Sequence, residues 1–347
     1  MARMQLLPEW AKQDAVLLTW PHADTDWRPI LERAEAVYCE LAKAICSRAR
    51  LIVAAPAWCH EHIHQKLSAA SIAPDCYKIY ASQTNDTWAR DHGPLTVAVG
   101  AQRTLLDFTF NGWGAKFESE LDNCITGNLA SLGAFNAPVK PIDTVLEGGA
   151  LEIDETGALL TTAQCLLNPN RNPQLSKDAI EAHLRETLGA IKVNWLEYGY
   201  LAGDDTDSHI DTLARLGPNR ILLYVGCDDP QDEHFEELAK MQAQIETFTN
   251  AAYEPYRLFR LPLPSAVYSE TGDRLPATYA NFLILNGAVL VPLYSDPNDA
   301  HALDVIGAAF SGYDIIGIDC LPLIEQHGSL HCVTMQLPEG VVNREKS

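Results

Sequence analysis

An α/β protein assembled from a repeated unit is the fold class that the sequence predicts, and three features predict it. Short apolar strand patterns alternate with amphipathic helical ones. Four hairpin signatures, each a glycine between two strand-like runs, centre on Gly100, Gly157, Gly217 and Gly287, at separations of 57, 60 and 70 residues. After three of these hairpins an Asx-Pro pair (Asn168-Pro169, Asp229-Pro230, Asp296-Pro297) precedes a helical segment and is expected to supply its N-cap and first-turn proline. A period of that size divides the 347 residues about five times. Five ββαβ repeats closed into a ring make a five-bladed α/β propeller with helices outside. An open α/β sheet with the same hairpins is the alternative. Residues 1–347 are expected to form one domain.

In chain order, the continuous apolar run 15–20 reads as a buried strand. Residues 30–49 place Leu31, Ala34, Val37, Tyr38, Leu41 and Ile45 on one helical face. Residues 51–55 are a strand, 58–70 a helix and 76–81 a strand. The hairpins then pair 95–99 with 104–108, 151–153 with 158–162, 210–216 with 220–225, and 282–285 with 288–293. The helical segments that follow carry Ile180, Leu184 and Leu188 in one case and Phe235, Leu238 and Met241 in another.

Composition narrows the function. With 25 basic and 46 acidic side chains the net charge is −21, which argues against nucleic acid or an anionic membrane as partner and leaves room for a cationic ligand. No apolar run approaches the roughly 18 residues that a membrane span needs. Residues 1–14 lack a basic start followed by an apolar stretch, so no secretory signal is expected. Nine cysteines, an odd number without a CxxC pair, suit free thiols in a reducing, cytoplasmic setting.

Polar residues recur at one place in the pattern. Asp91, Glu147, Asp211 and Asn281 precede the four hairpin glycines by six to ten residues. Around a ring axis such positions converge, and carboxylates crowded there are costly unless a cation joins them. If the segment 203–211 is extended, Asp205, Asp207, His209 and Asp211 point to one side. They then form either a floor for a cationic substrate, with His209 as acid/base, or a metal site. Cys332, expected on a late strand, is a candidate nucleophile. Its neighbour His331 would face the other way, which leaves His209 as the partner base. In the tract Cys59-His60-Glu61-His62-Ile63-His64 only His60 and His64 share a helical face, and a solvated face rather than a metal site is expected. Trp88 and Trp113 flank polar, glycine-bearing segments and could stack on an alkyl chain or a cation, with core packing the alternative for Trp113.

Six segments occur in an order and spacing that resembles the agmatine deiminase family, which includes the bacterial peptidylarginine deiminases, within the guanidine-modifying pentein superfamily. They are Thr87-Trp88-Ala89-Arg90-Asp91, Phe110-Asn111-Gly112-Trp113-Gly114, Leu146-Glu147-Gly148-Gly149, Asp205 to Asp211, Ala280-Asn281 and Leu330-His331-Cys332. The likeness runs from Pro8-Glu9-Trp10 to Cys332. It implies the five-bladed pentein propeller. It also implies Cys332 as nucleophile, His209 as general acid/base, and Asp91 and Asp211 as the carboxylates that grip a guanidinium. Glu147 would line the site, Asn281 would stand near the nucleophile, Trp88 beside the substrate chain, and Asp205 near the substrate's far end. The implied reaction takes agmatine and water to N-carbamoylputrescine and ammonia, a step toward putrescine, with no metal or other cofactor. The sequence leaves other readings open: a deiminase of free or peptidyl arginine, with Arg90 or Arg171 receiving a carboxylate; a metal-dependent hydrolase; or a guanidine-binding protein without catalysis. A homo-oligomer is compatible with all of them.

Overall fold

The computed structural model describes residues 3–343. Its strands form five small mixed sheets, each built around an antiparallel pair whose second strand continues, through a helical crossover, into a parallel third. Leu95–Val99 pairs with Gln102–Thr109, which runs parallel to Val139–Val145; Met4–Leu6 is added at the edge. Glu152–Ile153 and Ala158–Thr162 lead through the helix Lys177–Leu188 to Lys192–Leu196. Ala214–Gly217 and Ile221–Gly226 lead through Phe235–Ile245 to Arg257–Pro262. Leu283–Leu285 and Ala288–Leu293 lead through Asp299–Ala309 to Asp314–Asp319. In the fifth sheet the antiparallel pair joins the two ends of the chain, Thr334–Pro338 with Gln13–Thr19, and the helix Leu31–Cys46 leads to Arg50–Ala55 and then Tyr77–Ala81.

The helices form because their apolar residues share one face. Ile180, Leu184 and Leu188 are buried from one helix, and Leu238, Met241 and Ile245 from another. Three expectations about local structure need correcting. The Asx-Pro pairs are not N-caps. Asn168, Asp229 and Asp296 each accept a hydrogen bond from the backbone N–H two residues on, at 2.9, 2.9 and 2.8 Å, which makes them Asx turns. The helices start later, the first of them on a true Ser176 cap. The run 210–216 is not one strand, since Ile210–Leu213 is a turn of helix and only Ala214–Gly217 pairs. Cys332 lies just before the strand Thr334–Pro338, not within it.

The last two corrections share a cause. The chain enters the first strand of each antiparallel pair through a short turn: Ala89–His92, Gly148–Ala150 and Ile210–Leu213 in three sheets, residues 278–282 and 329–333 in the other two. Hydrogen bonds tie successive sheets together at these turns and at adjoining strand ends. Gly149 N donates to Asp91 Oδ1 at 2.9 Å, Thr162 Oγ1 to Ser208 O at 2.8 Å and Thr278 Oγ1 to Thr212 O at 2.8 Å. His331 N donates to Asn281 O at 3.1 Å and Arg90 N to Cys332 O at 3.0 Å, so the cycle returns to its start.

Candidate active site

Each turn, or the residue just before it, contributes to the site: Asp91, Glu147, His209 with Asp211, Asn281, and Cys332. Asp91, His209, Asp211 and Cys332 border a single open cavity whose empty volume is about 530 Å³, together with Trp88, Trp113 and Asp205. Glu147 and Asn281 do not border it. Glu147 stands behind the wall, fully buried, with both carboxylate oxygens within 3.0 Å of Arg171 Nε. Its carboxylate still comes within 4.8 Å of a ring nitrogen of His209. Asn281 braces the nucleophile segment instead. Its Oδ1 accepts from His331 N at 2.9 Å, from Cys332 N at 3.3 Å and from the Cys332 thiol at 3.4 Å.

The two aspartates differ in environment. Asp91 accepts from Trp113 Nε1 and from Gly149 N, both at 2.9 Å, yet burial and the charge of Asp211 push its carboxyl well above the ordinary range. Asp211 is equally buried, and burial pushes its carboxyl up, but the 2.7 Å contact from Oδ2 to His331 Nδ1 and the neighbouring His331, His209 and Arg215 together hold it below the ordinary range. A proton on the pair is therefore favoured on Asp91 over Asp211. Burial keeps His209 neutral, its pKa lowered to about 3, with Nδ1 at 3.6 Å from Asp91 Oδ1. Burial, then the charges of Asp211 and Asp91, push the Cys332 thiol well up. Asp211 Oδ1 and His209 Nε2 are buried without a hydrogen-bond partner. Those two atoms, on the cavity wall, are what a planar cationic N–H donor and its reacting centre would meet.

The segment 203–211 is not extended. Asp207 and Ser208 take the left-handed region, with φ of 69° and 63°, and the side chains splay. Asp205 and His209 reach the cavity, while Asp207 turns away to Arg171 Nη1 at 2.7 Å and Lys116 Nζ at 2.8 Å. Sequence reasoning missed Arg171 as an internal clamp. It joins Glu147, Asp207 and the Thr206 carbonyl and has no exposed side-chain surface. Arg171→Met should therefore lower unfolding free energy by about 3–5 kcal/mol, because it strands Glu147 as a buried unpaired charge. Urea denaturation checks this, and a loss below about 1 kcal/mol would contradict the clamp.

Trp88 Nε1 and Trp27 Nε1 both donate to Asp86, at 2.9 and 2.8 Å, which fixes the indole wall beside the cavity. The histidine tract is no cluster: His60 contacts Ala55 O, His62 contacts Glu35, and His64 contacts Tyr77 Oη. Among the described residues two buried groups of three potential metal ligands do occur, Glu147 with Cys165 and His209, and Glu9 with Glu152 and His331. Their carboxylates are taken by Arg171 and by Arg215. No helix of the described residues is long and apolar enough to cross a membrane.

The family model of Porphyromonas-type peptidyl-arginine deiminases matches residues 5–338. The chain belongs to this family. Among relatives of this peptidyl-arginine deiminase family member, the agmatine deiminase of Pseudomonas fluorescens is 31% identical over 356 residues, covering 95% of this chain and 94% of the relative. A Porphyromonas gingivalis structure provisionally named an arginine deiminase is 47% identical, with a TM-score of 0.91 and coverage of 98% of this chain and 100% of that one. A C. jejuni agmatine deiminase with substrate bound is 35% identical, with a TM-score of 0.90 and 97% of each chain covered. An amidinotransferase from Microseira wollei, at 12% identity and a TM-score of 0.52, shares the fold alone, the pentein fold. The family member is thus an enzyme among hydrolases of amidine C–N bonds.

Proposed function

We propose that this protein is an agmatine deiminase, built as one five-bladed domain whose blades each lend a group to a central site. The observation that carries the choice of substrate is the cavity wall. It holds six aspartates, Asp26, Asp86, Asp91, Asp204, Asp205 and Asp211, and no lysine or arginine. Arg171 and Arg90, the candidates for receiving an α-carboxylate, are buried outside that wall, and Arg171 is already committed to Glu147 and Asp207. An acidic wall favours a dication such as agmatine and opposes the carboxylate of free arginine.

Asp91 and Asp211 accept the N–H groups of the guanidinium fork, whose charge lowers the Asp91 carboxyl so that its proton passes to solvent as substrate enters. The same charge lowers the cost of ionising Cys332, so the thiolate forms once substrate is present. Sulfur adds to the central carbon. His209 carries the thiol proton to the departing nitrogen, and ammonia leaves. The S-alkylthiouronium left on Cys332 is attacked by water, which gives one proton to His209 and, on collapse, the other to the departing sulfur, releasing N-carbamoylputrescine and the thiol; the proton on His209 then passes to solvent, where ammonia takes one up.

Ammonia release from agmatine, arginine and butylguanidine tests the reading. Agmatine should exceed arginine in kcat/KM by at least about a hundredfold. Burial and the charge of Asp204 push Asp205 up to about 6, so it is charged above that pH and neutral below. The KM for agmatine should then rise as pH falls through about 6, while that for butylguanidine, which lacks the second amine, stays flat. A preference for arginine or peptidyl arginine would overturn the assignment, as would loss of activity on exhaustive chelation.

A further inference from the structure

Pro8-Glu9-Trp10 and His331 have no part in the chemistry above, yet Glu9 and His331 meet behind Asp211. His331 Nδ1 lies 2.7 Å from Asp211 Oδ2, and Nε2 lies 2.6 Å from Glu9 Oε2. Glu9 is itself anchored: Oε2 accepts from Arg215 Nη2 at 2.7 Å, and Oε1 accepts from Ile284 N at 2.6 Å. Glu9, Asp211, Arg215 and His331 are all buried. A ring nitrogen facing an ionised carboxylate can serve it only by donating a proton. Nε2 also stands 3.0 Å from Arg215 Nη2, itself a donor, so the donation that the geometry fixes is that of Nδ1 to Asp211.

We propose that His331, braced by Glu9, is a positioning residue for the guanidine reaction: it fixes Asp211 through Oδ2 and leaves Oδ1 for the substrate. This rests on the reading of Asp211 as a guanidinium ligand. Asp91, His209 and Cys332 face the same aspartate from the cavity. Burial raises the carboxyl of Glu9, but Arg215 and His331 more than offset it. The arrangement explains why a residue 322 positions from His331 belongs to the site: the pairing of the two chain ends carries both.

The test uses Glu9→Gln, Glu9→Asp and His331→Gln in the full-length protein. In Glu9→Gln the new side chain offers one oxygen and one amide nitrogen where N–H donors from Ile284 and Arg215 converge beside His331. Losing a charged hydrogen bond should lower kcat/KM for agmatine about ten- to a hundredfold, mostly through KM. The acid limb of the pH profile should move to higher pH, because Asp211 without its partner protonates more readily. Glu9→Asp, which keeps the charge, should restore part of the activity. Variants that unfold more easily yet keep the KM and the acid limb would overturn the proposal. Nitrogen-15 NMR of the wild-type ring decides where variants do not fold: a protonated Nδ1 on His331 supports the proposal, and a bare Nδ1 overturns it. A wild type inactive on all guanidines would instead remove the underlying reading of the site.

Discussion

Cys332→Ala is expected to abolish ammonia release from agmatine, lowering kcat by at least about 10⁴-fold, while leaving the cation site able to bind. The guanidinium carbon is a poor electrophile because its charge is delocalised, so its hydrolysis depends on a strong nucleophile held in place. Among the residues bordering the cavity Cys332 alone has a thiol. Its segment is fixed on two sides, by Asn281 Oδ1 and by the bond from Arg90 N to the Cys332 carbonyl. Two measurements make the result specific. Agmatine should still raise the melting temperature of the variant, since Asp91 and Asp211 remain. In the wild type, with the thiol pushed up by burial and two carboxylates, iodoacetamide should alkylate slowly at neutral pH. Ammonia release by the variant at more than a few per cent of the wild-type rate would end the covalent mechanism.

Much of this is legible in the sequence because it rests on period and spacing. The hairpin glycines are real turn residues, with φ of 60°, 87° and 67° at Gly100, Gly157 and Gly287. At the Gly217 hairpin the left-handed positions fall instead on Asn219 and Arg220, so the pattern finds the turn through the wrong residue. The fifth antiparallel pair cannot be seen, because its strands lie at opposite ends of the chain and no local turn links them. The helical turns before the strands escape for a different reason. Ile210 to Leu213 is apolar enough to continue a strand pattern, and only the tertiary tie between neighbouring turns makes it helical. That error carries into the site. An extended 203–211 would put Asp207 beside the substrate, whereas the left-handed Asp207 and Ser208 send it to Arg171. Burial of a polar residue behind a wall leaves no periodic trace, which is why Glu147, Arg171 and Glu9 can be noticed in the sequence but not placed.

Gly149→Ala should reduce kcat/KM by at least about a hundredfold in a protein that still folds. A Cβ at this position would stand 2.6 Å from His209 Nδ1, 2.7 Å from Asp91 Oδ1 and 3.2 Å from Asp211 Oδ2. Real Cβ atoms do not approach so closely, so one or more of three site groups must shift. None is loose. Asp91 is held by Trp113 Nε1 and by Gly149 N itself, Asp211 by His331, and His209 is almost wholly buried. The methyl group therefore moves the carboxylates that must meet a flat guanidinium. A displacement of about 1 Å is enough for a hundredfold loss. Overpacking should cost about 1–3 kcal/mol of stability at the same time, readable by urea unfolding. The expected combination is near-native circular dichroism, modest destabilisation and severe loss of turnover. Wild-type kinetics in Gly149→Ala would mean that these side chains yield freely, and the tight cluster of two carboxylates and an imidazole would then not be what binds and processes the substrate.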